Sequence, residues 1–164
     1  MVFEALKSAG PDVFDAPIAF VCHSLGGIVL KQVLRHAEQS SADPYAVGLL
    51  ENLSRVFFIA TPHGGAAIAS RATKYMGIAV NRVVSSLEKG HAHTVELGDW
   101  YREFSVARRS QFKNFVYYET EDTSLNAGWF QRLGGLARAK IVEKDSADPG
   151  LPGVTPVPLV GDHV

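Results

Sequence analysis

Four short apolar runs constrain the fold of this chain more than any other feature of its sequence. They lie at residues 17–22, 55–60, 114–118 and 139–142, and segments with helical spacing separate them. Each run is apolar on both faces instead of alternating, which is typical of strands in a parallel sheet covered by helices on each side. The sequence therefore predicts an α/β fold with a mostly parallel sheet flanked by helices.

The segments between these runs have the composition of helices. Residues 25–38 place apolar side chains on roughly one helical face, and residues 66–87 and 95–108 can form further helices. A short helix is expected at residues 2–7, directly before the first strand. The last fifteen residues are rich in Pro and Gly, which predicts a loop there.

Length and charge limit what the chain can do. It has 164 residues, enough for one domain, and its 16 Lys+Arg against 17 Asp+Glu disfavour a basic surface for nucleic acid. The single cysteine, Cys22, excludes an internal disulfide and multi-cysteine zinc sites. No segment reads as a transmembrane helix or a signal peptide. We expect a cytoplasmic protein with no nucleic-acid partner and no transmembrane segment.

The strongest chemical signal is Cys22-His23-Ser24-Leu25-Gly26, where the first strand gives way to a helix. This arrangement is that of a nucleophile elbow, Gly-x-Ser-x-Gly, with Cys22 at the first glycine position. A strained turn would expose the Ser24 hydroxyl, and small residues two before and two after it would let the strand and helix approach closely. The Leu25 backbone N–H would face a developing oxyanion. The alternative is that Ser24 only caps the helix.

A serine nucleophile needs a histidine base. In the elbow fold the histidine follows the last strand, and His163 holds that place, with a surface histidine in a tail as the alternative. His23 adjoins the nucleophile, and its side chain is expected to point away from Ser24 and to pack in the elbow. His63 borders the same sheet edge. His91 and His93 lack an evident third ligand, so no metal site is predicted.

The base in turn needs a carboxylate, which is expected after the penultimate strand. Three residues qualify, Glu119, Glu121 and Asp122, and only one of them can be the partner. Glu119 continues the strand directly and is favoured. Asp145 is a weaker candidate.

Together these segments resemble a known group of proteins. Residues 20–34 are similar to the α/β-hydrolase domains of the lipase/GPI inositol-deacylase-like group, which includes serine-active-site domains fused to NTPase and repeat modules. Residues 57–65, with Thr61-Pro62-His63-Gly64, match that group's TPH-G hallmark. The resemblance continues through residues 118–120 and 141–147 and ends at Asp162-His163, so it spans nearly the whole chain.

The resemblance implies that Ser24 is the nucleophile, His163 the base and Glu119 the acid of a catalytic triad. It implies cleavage of carboxylic esters, often lipid esters, without metal or cofactor. A complete domain of this group has several strands before the elbow, with a His-Gly loop that supplies a second oxyanion donor. We therefore expect residues 1–164 to be the C-terminal portion of a single α/β-hydrolase domain. The chain is then a fragment with a missing N-terminal part or fused domain, a degenerate gene product, or a domain completed by another polypeptide.

Other functions use the same sequence features. The runner-up is a non-catalytic α/β-hydrolase-like module, inactive as this fragment, that binds a lipid or protein partner or serves as one piece of a larger signalling chain. A peptidase or acyltransferase would use the same triad and differ in the acceptor of the acyl group. Residues 66–87 could form a lid over an acyl pocket, although an ordinary crossover helix pair is the more common structure for such a segment.

Overall fold

A computed structural model describes residues 2–8, 10–63, 91–120, 123–124, 138–139 and 148–160. In chain order the elements are helix α1 (Val2–Ser8), a 3-10 helix (Pro11–Phe14), strand β1 (Ile18–His23), helix α2 (Gly26–Gln39), helix α3 (Pro44–Asn52), strand β2 (Leu53–Ile59), helix α4 (His91–Ala107), strand β3 (Lys113–Glu119), strand β4 (Thr123–Ser124), strand β5 (Arg138–Ala139) and strand β6 (Val157–Leu159).

Four strands form a parallel sheet in the order β1-β2-β3-β6, and β4 and β5 form a separate antiparallel pair. The predicted α/β class is confirmed. Strands β1, β2 and β3 lie where the first three apolar runs predict strands.

The position of the fourth parallel strand was predicted wrongly. It is β6, within the Pro- and Gly-rich segment predicted as a loop, and not the run at residues 139–142. Of that run, Ala139 pairs in the antiparallel ladder with Thr123, and residues 140–142 lie outside the described residues. Strand β6 has three residues, all exposed, and contains Pro158. A short edge strand that tolerates proline leaves no apolar run to detect.

Helices α1, α2 and α4 lie close to their predicted positions, whereas α3 was not predicted. Its start is set by local chemistry, because the Asp43 side chain accepts a hydrogen bond from the Tyr45 N–H at 3.0 Å and Pro44 occupies the first turn. The predicted helical segment at 66–87 lies outside the described residues. No helix in the described ranges is long and apolar enough to cross a membrane.

One continuous core lies between the sheet and the helices. Strand residues Cys22, Val56, Phe58 and Val116 contribute to it from one face of the sheet. Helices α1 to α4 supply the other side, through Phe3, Leu30, Val33, Leu34, Ala37, Ala46, Leu49, Tyr101 and Phe104. Removing this apolar surface from water is the main stabilisation of the fold.

The carboxyl ends of the strands meet at one edge of the sheet. The register pairs His23 with Ile59, Ile59 with Tyr117, and Glu119 with Leu159. Because the strands are parallel, the segments that follow them all leave from this edge, and ligand sites in α/β folds are found outside the carboxyl ends of strands. In the described part of the sheet β1 is an edge strand, with Val21 69% exposed.

Candidate active site

Ser24 lies at the apex of the turn between β1 and α2, as the sequence predicts. Its φ is +52°, in the left-handed region that residues with a Cβ seldom adopt. Hydrogen bonds hold it there: the Ser24 N–H donates to the Ile59 carbonyl at 3.0 Å, and the Ser24 carbonyl accepts from the Gly27 N–H at 3.3 Å. The unfavourable conformation is therefore imposed by the adjacent strand and helix.

The sequence predicts that Gly26 allows the strand and the helix to approach closely. In the structure the close contact is made at Gly27 instead. A Cβ added at Gly26, two residues after Ser24, would meet nothing within 4 Å. A Cβ on Gly27 would come within 3.0 Å of the Thr61 side chain and of Phe58 Cδ1. Gly27 is buried against the segment that follows β2, so the need for glycine is set by that segment and not by the turn itself.

Cys22 holds the first glycine position of the elbow, two residues before Ser24, and is buried on the core face of β1. Burial raises the pKa of its thiol to about 11, so the thiol stays protonated near neutral pH. Cys22 therefore serves as a small apolar core residue here, and Ser24 is the side chain of this turn with nucleophilic chemistry.

Leu25 is the N-cap residue of α2, with φ −62° and ψ −17°. Backbone N–H groups at a helix start have no partner within the helix, and the helix dipole makes this end favourable for negative charge. The chain therefore presents donors directly after Ser24, at the place where the sequence predicts an oxyanion donor.

Glu119 is the last residue of β3 and is 5% exposed. Its Oε1 lies 3.7 Å from His23 Nε2. The sequence interpretation placed His23 in the packing of the elbow, with its side chain pointing away from Ser24. In the structure this side chain is 53% exposed and lies beside Glu119. His23 faces outward because strand residues alternate between faces, and Cys22 faces inward. The structure thus brings His23 and Glu119 together at the edge that carries Ser24.

A second turn follows β2 at Ala60, whose φ is +48°. Residues 60–63 are buried, and His63 Nδ1 lies 2.9 Å from the Nζ of Lys31, a buried residue of α2. Sequence reasoning placed His63 at this sheet edge correctly but missed Lys31. The signal was available, since Lys31 lies four residues after Gly27 and three before Leu34, on the apolar face of the helix.

The remaining predicted site residues lie outside the described residues. These are the proposed base His163 and the alternative acids Glu121, Asp122 and Asp145. The side chains of His91 and His93 are likewise not described. The structure therefore brings together Ser24, Leu25 and Glu119 at one sheet edge, and the role of His163 stays a prediction.

Known proteins are similar to this chain in sequence. Residues 2–127 match the family described as "Putative serine esterase (DUF676)". The chain is 29% identical to Protein SERAC1 of Mus musculus over 153 residues, which cover 93% of this chain and 21% of that protein. It is 28% identical to Protein SERAC1 of Danio rerio over 162 residues, which cover 97% of this chain and 22% of that protein. The chain thus spans about a fifth of the length of these curated relatives.

A solved structure is similar in fold. The mature form of the lipase BlEst2 of Bacillus licheniformis superimposes with a TM-score of 0.56 and 20% sequence identity, over 99% of this chain and 64% of the lipase. At that identity the likeness concerns the fold, and it confirms the predicted lipase-like α/β-hydrolase architecture. With the family match covering most of its length, the chain belongs to the family described as "Putative serine esterase (DUF676)" and has an α/β-hydrolase fold.

Proposed function

We propose that this chain is a serine esterase that cleaves carboxylic esters through Ser24. The observation that carries the proposal is the strained conformation of Ser24, φ +52°, between a strand and a helix start at the carboxyl edge of the sheet. Such strain persists at functional sites because the surrounding structure imposes it. The family match and the lipase-like fold support a hydrolase of this type.

In the proposed reaction Ser24 Oγ attacks the acyl carbonyl while His163 takes the serine proton. The carbonyl oxygen becomes an oxyanion near the Leu25 N–H at the start of α2. The histidine then protonates the departing alcohol, which leaves an acyl-serine ester. Water deprotonated by the same histidine attacks this ester, releasing the carboxylic acid and restoring Ser24.

Glu119 is the proposed acid that orients the histidine. It ends β3 at the same edge as Ser24, and its register partner Leu159 ends β6. His163 follows Leu159 by four residues in the sequence. The acid strand and the strand before the histidine are thus adjacent, which supports the pairing of Glu119 with His163.

The proposed substrates are small-molecule or lipid esters, as for lipase-like hydrolases. The preference for short or long acyl chains distinguishes these two classes of substrate. A series of p-nitrophenyl esters from acetate to palmitate measures it directly, since each buried methylene contributes about 0.8 kcal/mol where an apolar acyl site exists.

The test is labelling of the 164-residue chain by a fluorophosphonate, which phosphonylates an activated serine. We expect wild-type labelling that is lost in Ser24→Ala and in His163→Ala, and retained in Ser41→Ala, a matched change at an exposed serine. Circular dichroism establishes that each variant is folded. A folded wild-type chain that neither labels nor hydrolyses esters would contradict the proposal and favour the non-catalytic binding module.

A further inference from the structure

A buried lysine lies beneath the proposed site. Lys31 is 2% exposed, and no carboxylate in the described part of the chain forms an ion pair with it. Its Nζ lies 2.9 Å from His63 Nδ1 and 5.2 and 5.8 Å from the ring centroids of Tyr101 and Phe58. Burial lowers the pKa of Lys31 to about 7, and the nearby Arg102 guanidinium acts in the same direction.

His63 has the complementary chemistry. It is 9% exposed, and burial, followed by the charge of Lys31, holds its pKa well below the usual value, so the imidazole is neutral. An ammonium can only donate, so His63 Nδ1 accepts from protonated Lys31. In the described part of the chain, the titratable or charged groups facing the pair are Tyr101 and Arg102, both from α4.

This hydrogen bond is one of three contacts that join the turn at Ser24 and helix α2 to the end of β2 and the segment after it. The Ser24 N–H donates to the Ile59 carbonyl, and Gly27 packs against Thr61. Lys31 lies one helical turn beyond Gly27 on the same face and reaches His63, two residues beyond Thr61. These three contacts connect the turn at Ser24 to the turn at Ala60, beginning at Ser24 and continuing along α2 to Lys31.

Stability alone does not account for a lysine at this position. A buried amine loses its hydration, and replacing a buried polar pair by apolar side chains of similar volume is often neutral or stabilising. A methionine can also pack against aromatic rings. A hydrogen bond differs from such packing because it fixes distance and direction between the helix and the turn.

We infer that Lys31 is a positioning residue, which through its hydrogen bond to His63 holds the first turn of α2 against residues 60–63 and so fixes Ser24 and the Leu25 N–H. The inference rests on the proposed role of Ser24 as the nucleophile. Small displacements of a reacting group are costly, since a misplacement of about 1 Å can lower turnover about 100-fold.

The experiment compares Lys31→Met with the wild-type chain and with Lys113→Met, a matched change at an exposed lysine of β3. We expect Lys31→Met to lower the rate of fluorophosphonate labelling about 10- to 100-fold in a chain that circular dichroism shows to be folded. Hydrogen exchange of the Ser24 and Gly27 amides should become faster, while Lys113→Met leaves the labelling rate and both amides unchanged.

Variants of His63 give an independent comparison. The side-chain oxygen in His63→Asn can accept a hydrogen bond from Lys31 near the place of Nδ1, whereas His63→Leu removes the acceptor. We expect His63→Asn to label faster than His63→Leu. The double change of Lys31→Met with His63→Leu should cost no more than either change alone, because both remove one interaction.

Two results would overturn the inference. One is an unchanged labelling rate in Lys31→Met, and the other is unchanged exchange at Ser24 and Gly27. If the wild-type chain does not label, the proposed esterase function fails, and amide exchange alone decides the positioning role: faster exchange supports it and unchanged exchange overturns it. If Lys31→Met does not fold, the comparison of His63→Asn with His63→Leu decides in the same way.

Discussion

The two turns at the carboxyl edge of the sheet share a backbone conformation and differ in their surroundings. Ser24 follows β1 with φ +52°, and Ala60 follows the neighbouring strand β2 with φ +48°. Ser24 is partly exposed beside an edge strand, whereas Ala60 and Thr61 are 0% and 1% exposed. The first turn presents a hydroxyl at the surface, and the second is enclosed by core side chains.

Strain by itself therefore does not single out a candidate nucleophile. Both positions carry a conformation that is unfavourable for a residue with a Cβ, but only the first has a nucleophilic side chain followed at once by a helix start. The second turn supports the first, through the Gly27 contact with Thr61 and the bond from Lys31 to His63. Four changes test this division into a reactive turn and a supporting turn.

The largest effect is expected at the acid proposed to serve the reactive turn. Glu119→Gln keeps the size of the side chain but removes the charge that orients the histidine, so ester turnover should fall about 1,000- to 10,000-fold. Glu103→Gln, at an exposed carboxylate of α4, is the control and should leave turnover unchanged. If Glu121→Gln or Asp122→Asn causes the loss and Glu119→Gln does not, the acid has been assigned to the wrong residue.

The contact between the two turns is tested by a pair of glycine substitutions. Gly27→Ala forces a methyl group against Thr61 and Phe58 and should lower the free energy of unfolding by about 1–3 kcal/mol. Gly26→Ala meets nothing within 4 Å and should be neutral or stabilising by up to about 1 kcal/mol. Urea unfolding measures both. Equal effects would mean that the supporting turn does not constrain the helix start.

The lowered pKa of Lys31 makes the free energy of unfolding depend on pH. Its pKa is lowered from 10.5 to about 7 in the folded chain, so between these values the unfolded chain binds more protons. The free energy of unfolding should therefore rise with pH above 7, by up to about 1.4 kcal/mol per pH unit, and this slope should be absent in Lys31→Met.

Urea unfolding of both chains between about pH 7 and 8.5 measures that slope. The measurement stops at about pH 8.5 because the Cys22 thiol affects stability at higher pH. Its pKa is raised from 9.0 to about 11 in the folded chain, so its ionisation in the unfolded chain lowers the free energy of unfolding as the pH rises. Parallel stability curves for the two chains would contradict a lysine buried against the supporting turn.

The smallest effect is expected at Thr61 in the supporting turn. Its Oγ1 is buried and has no hydrogen-bond partner in the part of the chain that the structure describes. Thr61→Val should raise the free energy of unfolding by about 1 kcal/mol and leave esterase turnover unchanged. Thr120→Val serves as the matched control, because its hydroxyl donates to the Leu159 carbonyl at 3.0 Å and its removal should destabilise the chain by a similar amount. Thermal unfolding shows whether Thr61→Val stabilises the chain and Thr120→Val destabilises it.

Much of the fold could be read from the sequence where a local pattern encodes it. The first three strands are visible as continuous apolar runs, and α2 is visible because its apolar residues recur at helical spacing. Strand β6 was missed because its three exposed residues, Val157 to Leu159, form no such run. Helix α3 was missed because it starts from a cap at Asp43 instead of a long apolar repeat.

In the candidate site, too, some residues could be predicted from the sequence and others could not. Sequence order and residue type identified Ser24, the donor position at Leu25 and the group of acids that begins with Glu119. The outward-facing His23 beside Glu119 depends on two strands separated by a third, so no local pattern contains it. The need for glycine at Gly27 likewise arises from Thr61, which is distant in the sequence.

The sequence by itself determined the α/β class, the turn that carries Ser24 and the type of chemistry a serine there can perform. These follow from interactions among residues close in the chain, namely apolar periodicity, turn chemistry and the start of a helix. Only the tertiary structure decided which residues support that turn. Lys31 and His63 are 32 residues apart and form a hydrogen bond because the parallel strands bring the segments that follow them to one edge of the sheet.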